Sequence, residues 1–251
     1  QSCCQKTIEA TMADHSPNPE KPRTPVVRPQ ITSLPNVTFW RRLLRWFIRV
    51  IAVFVVKTFT RTRMRGIENF PPAGPYLIAS NHLGDADVVL GLVKFPIQVE
   101  ALAKADLLYF PILGKIMDLY GVIWVHRGQP DRRAIRTAIE ALNQGRVIGI
   151  APEARESLTG ELEYGTGGAA YIAIKAGVPV LPVAFMGTEN AAIYRNMLRL
   201  HRSDIDIQVG TLFDLVQTGD LRSDIDSGTQ QIMSALAALL PLEFRGVYDS
   251  N

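Results

Sequence analysis

Tyr76-Leu77-Ile78-Ala79-Ser80-Asn81-His82-Leu83-Gly84-Asp85-Ala86-Asp87 is the stretch on which the reading of the fold turns. The apolar run Tyr76 to Ala79 follows a turn at Pro71-Pro72-Ala73-Gly74-Pro75 and has the composition of a strand buried on both faces. A helix is expected from about Asp85 to Val93, which leaves His82 on the corner between strand and helix. Such corners are where α/β proteins present reactive side chains to a crevice.

Downstream the same alternation repeats. Val99 to Ala103 reads as strand, Leu107 to Leu119 as helix, Val122 to Val125 as strand, and Asp131 to Asn143 as a helix ended by Gly145. Val147 to Ala151 is a further strand, and after a loop Gly167 to Lys175 is a helix. Val180 to Phe185 and Ile205 to Val209 are strands, and Thr229 to Leu240 is a closing amphipathic helix before Pro241. Alternating units of this kind imply an α/β fold with a largely parallel central sheet covered by helices.

Upstream, Phe39 to about Phe59 has helical periodicity. Arg41, Arg42, Arg45, Arg49 and Lys57 fall within one arc of about 160° on a helical wheel, opposite Leu43, Leu44, Phe47, Val50, Ile51 and Phe54. Arg49 and Lys57 confine the uninterrupted apolar run to Val50 through Val56, short of the roughly 18 residues a spanning helix wants. A helix lying in a membrane interface is therefore expected, with a tilted span or a core helix as alternatives. Residues 1–36, with Pro17, Pro19, Pro22, Pro25, Pro29 and Pro35, cannot bury enough apolar area to offset ordering and are expected to be a disordered tail. The expected organisation is thus tail 1–36, amphipathic membrane-surface helix 37–64 and catalytic domain 65–251.

Charge supports a lipid partner. The chain carries +3 overall, but residues 21–67 hold eleven Lys and Arg and no acidic residue, leaving the remainder at −8. Trp, Phe, Ile and Val interleaved with those arginines favour a lipid surface over nucleic acid. Cys3 and Cys4, adjacent in the tail, can build neither a disulfide framework nor a cysteine zinc site. His15, His126 and His201 lack metal-ligand spacing, so no metal is expected. Gly165-Thr166-Gly167-Gly168-Ala169-Ala170 imitates a dinucleotide fingerprint without the strand that must precede it, so no cofactor is expected. No secretory leader pattern opens the sequence, and location on the cytoplasmic face of a membrane is the expectation.

His82 and Asp87 lie five residues apart across the corner. That spacing lets the carboxylate hold one imidazole nitrogen while the other faces a substrate hydroxyl, making His82 a general base. Asp85 could instead cap the helix or compete for His82.

Asn81-His82-x-x-x-x-Asp87 resembles the first motif of the glycerolipid acyltransferase family, which includes 1-acyl-glycerol-3-phosphate acyltransferases. Gly121-Val122-Ile123-Trp124-Val125-His126-Arg127 is similar to the second motif, and Val178-Pro179-Val180-Leu181-Pro182-Val183 to the fourth. The third usually reads Pro-Glu-Gly-Thr-Arg-Ser, whereas this chain has Pro152-Glu153-Ala154-Arg155-Glu156-Ser157. The resemblance implies the family's fold and an acyl-CoA or acyl-carrier-protein donor. It implies Arg127 at the acceptor phosphate, a position suited to a guanidinium fork at a strand end, with Lys104 assisting. Glu153 would accept hydrogen bonds from glycerol-type hydroxyls, and Arg155 would restore the charge that Glu156 removes.

The expected function is transfer of a fatty acyl group from a thioester to the hydroxyl of a lysophosphatidic-acid-like acceptor in phospholipid biosynthesis. His82 and Asp87 would be catalytic. A thioesterase or lipid hydrolase using the same pair, or a lipid-binding relative with weakened catalysis, are the alternatives.

Overall fold

A computed structural model describes residues 32–126 and 131–249. The expected tail 1–36 lies almost wholly outside the described residues, as does Arg127. In chain order the described elements begin with α1 (Phe39–Phe59), β1 (Thr60–Arg65), β2 (Tyr76–Ser80), α2 (Asp85–Lys94), β3 (Val99–Lys104), α3 (Leu113–Tyr120) and β4 (Ile123–Val125). They continue with α4 (Arg132–Asn143), β5 (Val147–Ile150), α5 (Gly168–Ala176), β6 (Val180–Met186), α6 (Asn190–Leu198), β7 (Ser203–Val209) and α7 (Leu221–Leu239).

Among the described residues the strands form one seven-stranded sheet in the order β1-β7-β6-β2-β5-β3-β4. β6 and β7 pair antiparallel, and the other neighbours pair parallel. The expected mostly parallel, helix-covered sheet is observed. β2 sits at its centre, flanked by β5 and β6, and its neighbours depart to opposite sides. In open α/β sheets the crevice beyond the carboxyl ends of such strands is the usual place for a ligand.

The period-two alternation of each strand divides the core. Leu77 and Ala79 of β2, with Val180 and Ala184 of β6, pack under α4, α5 and α7. Tyr76 and Ile78, with Leu181, Val183 and Phe185, pack under α1, α2 and α6. Both faces being covered explains why the central strands are continuous apolar runs. Leu90 pins α2 to this second layer and is fully buried, a contribution of about 1.5–3 kcal/mol.

Helix ends follow local chemistry. Asp131 caps α4 by accepting from the Arg133 and Ala134 backbone N–H groups, and Asp220 caps α7 by accepting from Ser223 N–H. The expected helix over 107–119 is instead a 3-10 turn at Ala105–Tyr109 followed by α3. Pro111 disfavours helical geometry at Phe110, and the chain doubles back so closely that a Cβ on Gly114 would meet Leu108 O at 2.2 Å. β1 and α6 are elements that hydrophobic periodicity does not announce. β1 is Thr-Arg-Thr-Arg-Met-Arg at the sheet edge, its odd-numbered arginines exposed and its backbone paired with β7.

α1 sits on the body with its amphipathicity turned inside out. Arg45 is 4% exposed and makes a bidentate ion pair with buried Glu100 of β3 (3.1 and 2.8 Å) while donating to Tyr120 O at 2.8 Å. Arg41 donates to Leu119 O and Asn36 O, and Arg49 to Val93 O and Phe95 O. Three of the five basic residues of the stripe, Arg41, Arg45 and Arg49, are thus spent on carbonyls and a carboxylate of the protein, while Arg42 and Lys57 are exposed. Phe39, Trp40, Leu43, Trp46, Phe47, Val50, Ile51 and Phe54 face outward. Among the described residues no helix is long and apolar enough to cross a membrane.

Candidate active site

The site grows from the carboxyl end of β2. Asn81, buried, donates from Nδ2 to Phe185 O (2.9 Å) and accepts from Phe185 N–H at Oδ1 (2.8 Å), extending the β2–β6 pairing by one side-chain rung. That double bond fixes the backbone immediately before His82.

Asp87 stands in the first turn of α2 and reaches back over the corner. Its Oδ2 accepts from Leu83 N–H (2.8 Å) and Gly84 N–H (3.1 Å) and lies 3.0 Å from His82 Nδ1. Two backbone donors on that oxygen make it an acceptor, so the imidazole presents Nδ1–H to it. The neutral ring then keeps its basic lone pair on Nε2. The helix N-terminus adds positive potential beneath the buried carboxylate. Gly84 is required by close approach, since a Cβ there would meet Asn190 Oδ1 at 2.6 Å and Thr188 O at 2.7 Å.

Asp85 does not compete for His82. Its carboxylate accepts from Tyr194 Oη–H (2.7 Å) and its backbone N–H donates to Asn190 Oδ1 (2.9 Å), tying the start of α2 to α6.

The loop after β5 folds over the same corner. Ser157 N–H donates to His82 O at 2.8 Å, and Pro152 O accepts from both the N–H and Oγ1–H of Thr166 (2.8 Å each). Ala154 takes a left-handed backbone, φ +59°, where the family motif has glycine. Glu153 is 5% exposed, and neither carboxylate oxygen makes a hydrogen bond of normal geometry to a described residue. Burial pushes its carboxyl up to about 7, against the pull of the Glu163 backbone N–H nearby; Glu163 raises it, and His82 and Arg155 draw it down.

The charged candidates distribute unevenly. Arg155 pairs with Glu163, its Nε 2.6 Å from Oε2 and its terminal nitrogen also in contact. Lys104, at the carboxyl end of β3 on the same edge of the sheet, pairs with Asp106 at 2.8 Å. Glu156 places Oε1 3.9 Å from His82 Nε2, and its Oε2 accepts from Asn190 Nδ2 at 3.2 Å. The structure thus gathers His82, Asp87, Glu153, Arg155 and Glu156 around the corner. Lys104 stands two strands from β2.

Sequence reasoning missed Asn190 and Glu163, and it had Ser157 only as a position of the third motif. Asn190 opens a helix after a strand, the same strand-to-helix signal that singled out His82, and would have been found by applying it to β6.

The arrangement is an imidazole oriented by a carboxylate at the carboxyl end of the central strand, competent to take a proton from a hydroxyl or water. Residues 61–186 match the family model described as Acyltransferase. A 1-acyl-sn-glycerol-3-phosphate acyltransferase of Borreliella burgdorferi is 29% identical over 166 residues, covering 63% of this chain and 64% of that protein. A chloroplastic 1-acyl-sn-glycerol-3-phosphate acyltransferase of Brassica napus is 30% identical over 165 residues, covering 63% and 48%. The chain thus spans from about half to just under two-thirds of the length of these relatives. The crystal structure of the 1-acyl-sn-glycerophosphate (LPA) acyltransferase PlsC from Thermotoga maritima superposes with a TM-score of 0.59 at 22% identity, covering 76% of this chain and 78% of that one. At that identity the likeness is one of fold.

Proposed function

The chain belongs to the Acyltransferase family, and from that premise we propose that it transfers a fatty acyl group from an acyl thioester to a hydroxyl of a lysophospholipid-like acceptor during glycerolipid synthesis. The observation that carries this reading is the 3.0 Å contact between His82 Nδ1 and Asp87 Oδ2 at the carboxyl end of the central strand. The relatives are named for the acceptor 1-acyl-sn-glycerol 3-phosphate; the donor in this proposal is acyl-CoA or acyl-carrier protein.

In the reaction His82 Nε2 accepts the hydroxyl proton as the hydroxyl oxygen attacks the thioester carbonyl carbon. Asp87 holds the ring and stabilises the imidazolium. Collapse of the tetrahedral intermediate breaks the carbon–sulfur bond, and the imidazolium returns its proton to the departing thiolate. No protein nucleophile is needed, because the acceptor brings its own. Glu153 positions the glycerol-like portion and Arg127 supplies positive charge to the head group; Lys104 and Arg155, paired with Asp106 and Glu163, add to it only by exchanging those partners.

α1 sets this site against lipid. Its outward row of Phe, Trp, Val and Ile enters the interface of a membrane, on the cytoplasmic face and without spanning, while its inward arginines hold the catalytic body to it. Of the expected attachment 37–64, residues 60–64 belong to β1 of the sheet, so the attachment is α1 and the catalytic domain runs from β1 onward.

Incubating the full chain with labelled acyl-CoA, with and without lysophosphatidic acid, tests the proposal. Esterified product lost on His82→Ala is expected. Release of free fatty acid at the same rate with and without acceptor would overturn it in favour of hydrolysis.

A further inference from the structure

We propose that Glu156 selects the acceptor, favouring a lysolipid whose head group carries an ammonium over one ending in a bare phosphomonoester, resting on the acyl-transfer reading above. Glu156 Oε1 lies 3.9 Å from His82 Nε2, outside hydrogen-bond range but in direct electrostatic reach of whatever that nitrogen serves. A hydroxyl about 3 Å from Nε2 is therefore within about 7 Å of this carboxylate.

The carboxylate is held there. Asn190 Nδ2 donates to Oε2 at 3.2 Å, and Asn190 is itself fixed by accepting from Asp85 N–H at 2.9 Å. The adjacent Ser157 N–H is bonded to His82 O, which ties the loop carrying Glu156 to the strand end carrying His82. At 42% side-chain exposure Glu156 keeps one edge open to an incoming ligand.

Compensation on the loop is already committed. The family's third motif has arginine where Glu156 stands, and the arginine one position earlier, Arg155, is engaged by Glu163. Lys104 is engaged by Asp106. A phosphomonoester dianion near the reacting hydroxyl meets Glu156 as a like charge, whereas a phosphodiester at the same place carries less negative charge and bears an ammonium that the carboxylate attracts. Because Glu156 is partly exposed, solvent weakens both effects, and discrimination on the order of ten-fold is expected rather than absolute exclusion.

The test compares kcat/KM of the full chain for lysophosphatidylethanolamine and lysophosphatidic acid, with acyl-CoA as donor, for the native chain, Glu156→Gln and Glu156→Arg. The native chain is expected to favour the ammonium-bearing acceptor by about ten-fold, Glu156→Gln to narrow the ratio, and Glu156→Arg to reverse it, chiefly through KM. Equal or greater kcat/KM on lysophosphatidic acid by the native chain overturns the proposal and leaves acyl transfer standing. So does a uniform fall in kcat on both acceptors in Glu156→Gln with the ratio unchanged, which would assign Glu156 to the chemistry of His82. Transfer to neither acceptor overturns the acyl-transfer reading itself, and this proposal with it.

Discussion

Arg45 and Glu100, 55 residues apart in sequence, meet as a bidentate ion pair that is almost wholly buried, with the guanidinium also 4.9 Å from the centre of the Tyr120 ring. The pair helps join to the sheet a helix whose outer apolar row is exposed. Arg146 stands 3.6 Å from Glu100 on its other side.

Removing one partner leaves a charge buried without its counterion. Arg45→Ala is expected to cost about 3–5 kcal/mol in urea unfolding, whereas Arg45→Met with Glu100→Leu costs much less because no charge is stranded.

Ala154 occupies left-handed backbone at φ +59°, where a Cβ is strained. Ala154→Gly is expected to raise stability by about 0.5–1 kcal/mol in equilibrium unfolding. Relief of the strain exceeds the entropy glycine adds to the unfolded chain.

Asp87→Asn keeps the size of the side chain and an amide oxygen that can stand where Oδ2 accepts from Leu83, Gly84 and Nδ1–H, but it removes the negative charge that stabilises the imidazolium. A fall in kcat of about 10²–10⁴ with little change in KM is expected in the acyl-transfer assay.

Burial lifts the Glu153 carboxyl to about 7, above its unfolded value, so between about 4.5 and 7 the folded chain binds a proton that the unfolded chain has released. Glu153 therefore contributes a loss of stability as pH rises through that window, at no more than about 1.4 kcal/mol per pH unit. Glu153→Gln, which imitates the protonated acid, should flatten this component in unfolding curves taken from pH 4 to pH 8.

Phe47 and Phe54 project from the outward face of α1. Phe47→Glu with Phe54→Glu should cut recovery on liposomes in a flotation assay by at least ten-fold, since each aromatic contributes about 1.5–3 kcal/mol when it leaves water. Unchanged flotation would remove α1 from the membrane contact.

Much of this was legible in sequence wherever burial imposed a period. The central strands, the cap at Asp131 and the pairing of His82 with Asp87 all follow from local pattern. β1 was not legible, because Thr60 to Arg65 holds a single apolar residue and becomes a strand through β7's backbone. The orientation of α1 was not legible either. A helical wheel says which residues share a face, and the buried carboxylate that decides which face turns inward comes from Glu100, far along the chain. Glu156 reaches His82 only through the fold of a loop 74 residues later, which no spacing encodes.

The edge strand β1 sets an order of assembly. Its hydrogen-bonding neighbour β7 spans Ser203–Val209, and the counterion of α1 arrives with Glu100. During synthesis, which delivers the amino-terminal part first, the first described helix must wait for β3 and the first strand for β7 before they can pair. The apolar row on α1 thus leaves the ribosome well before the body it belongs to.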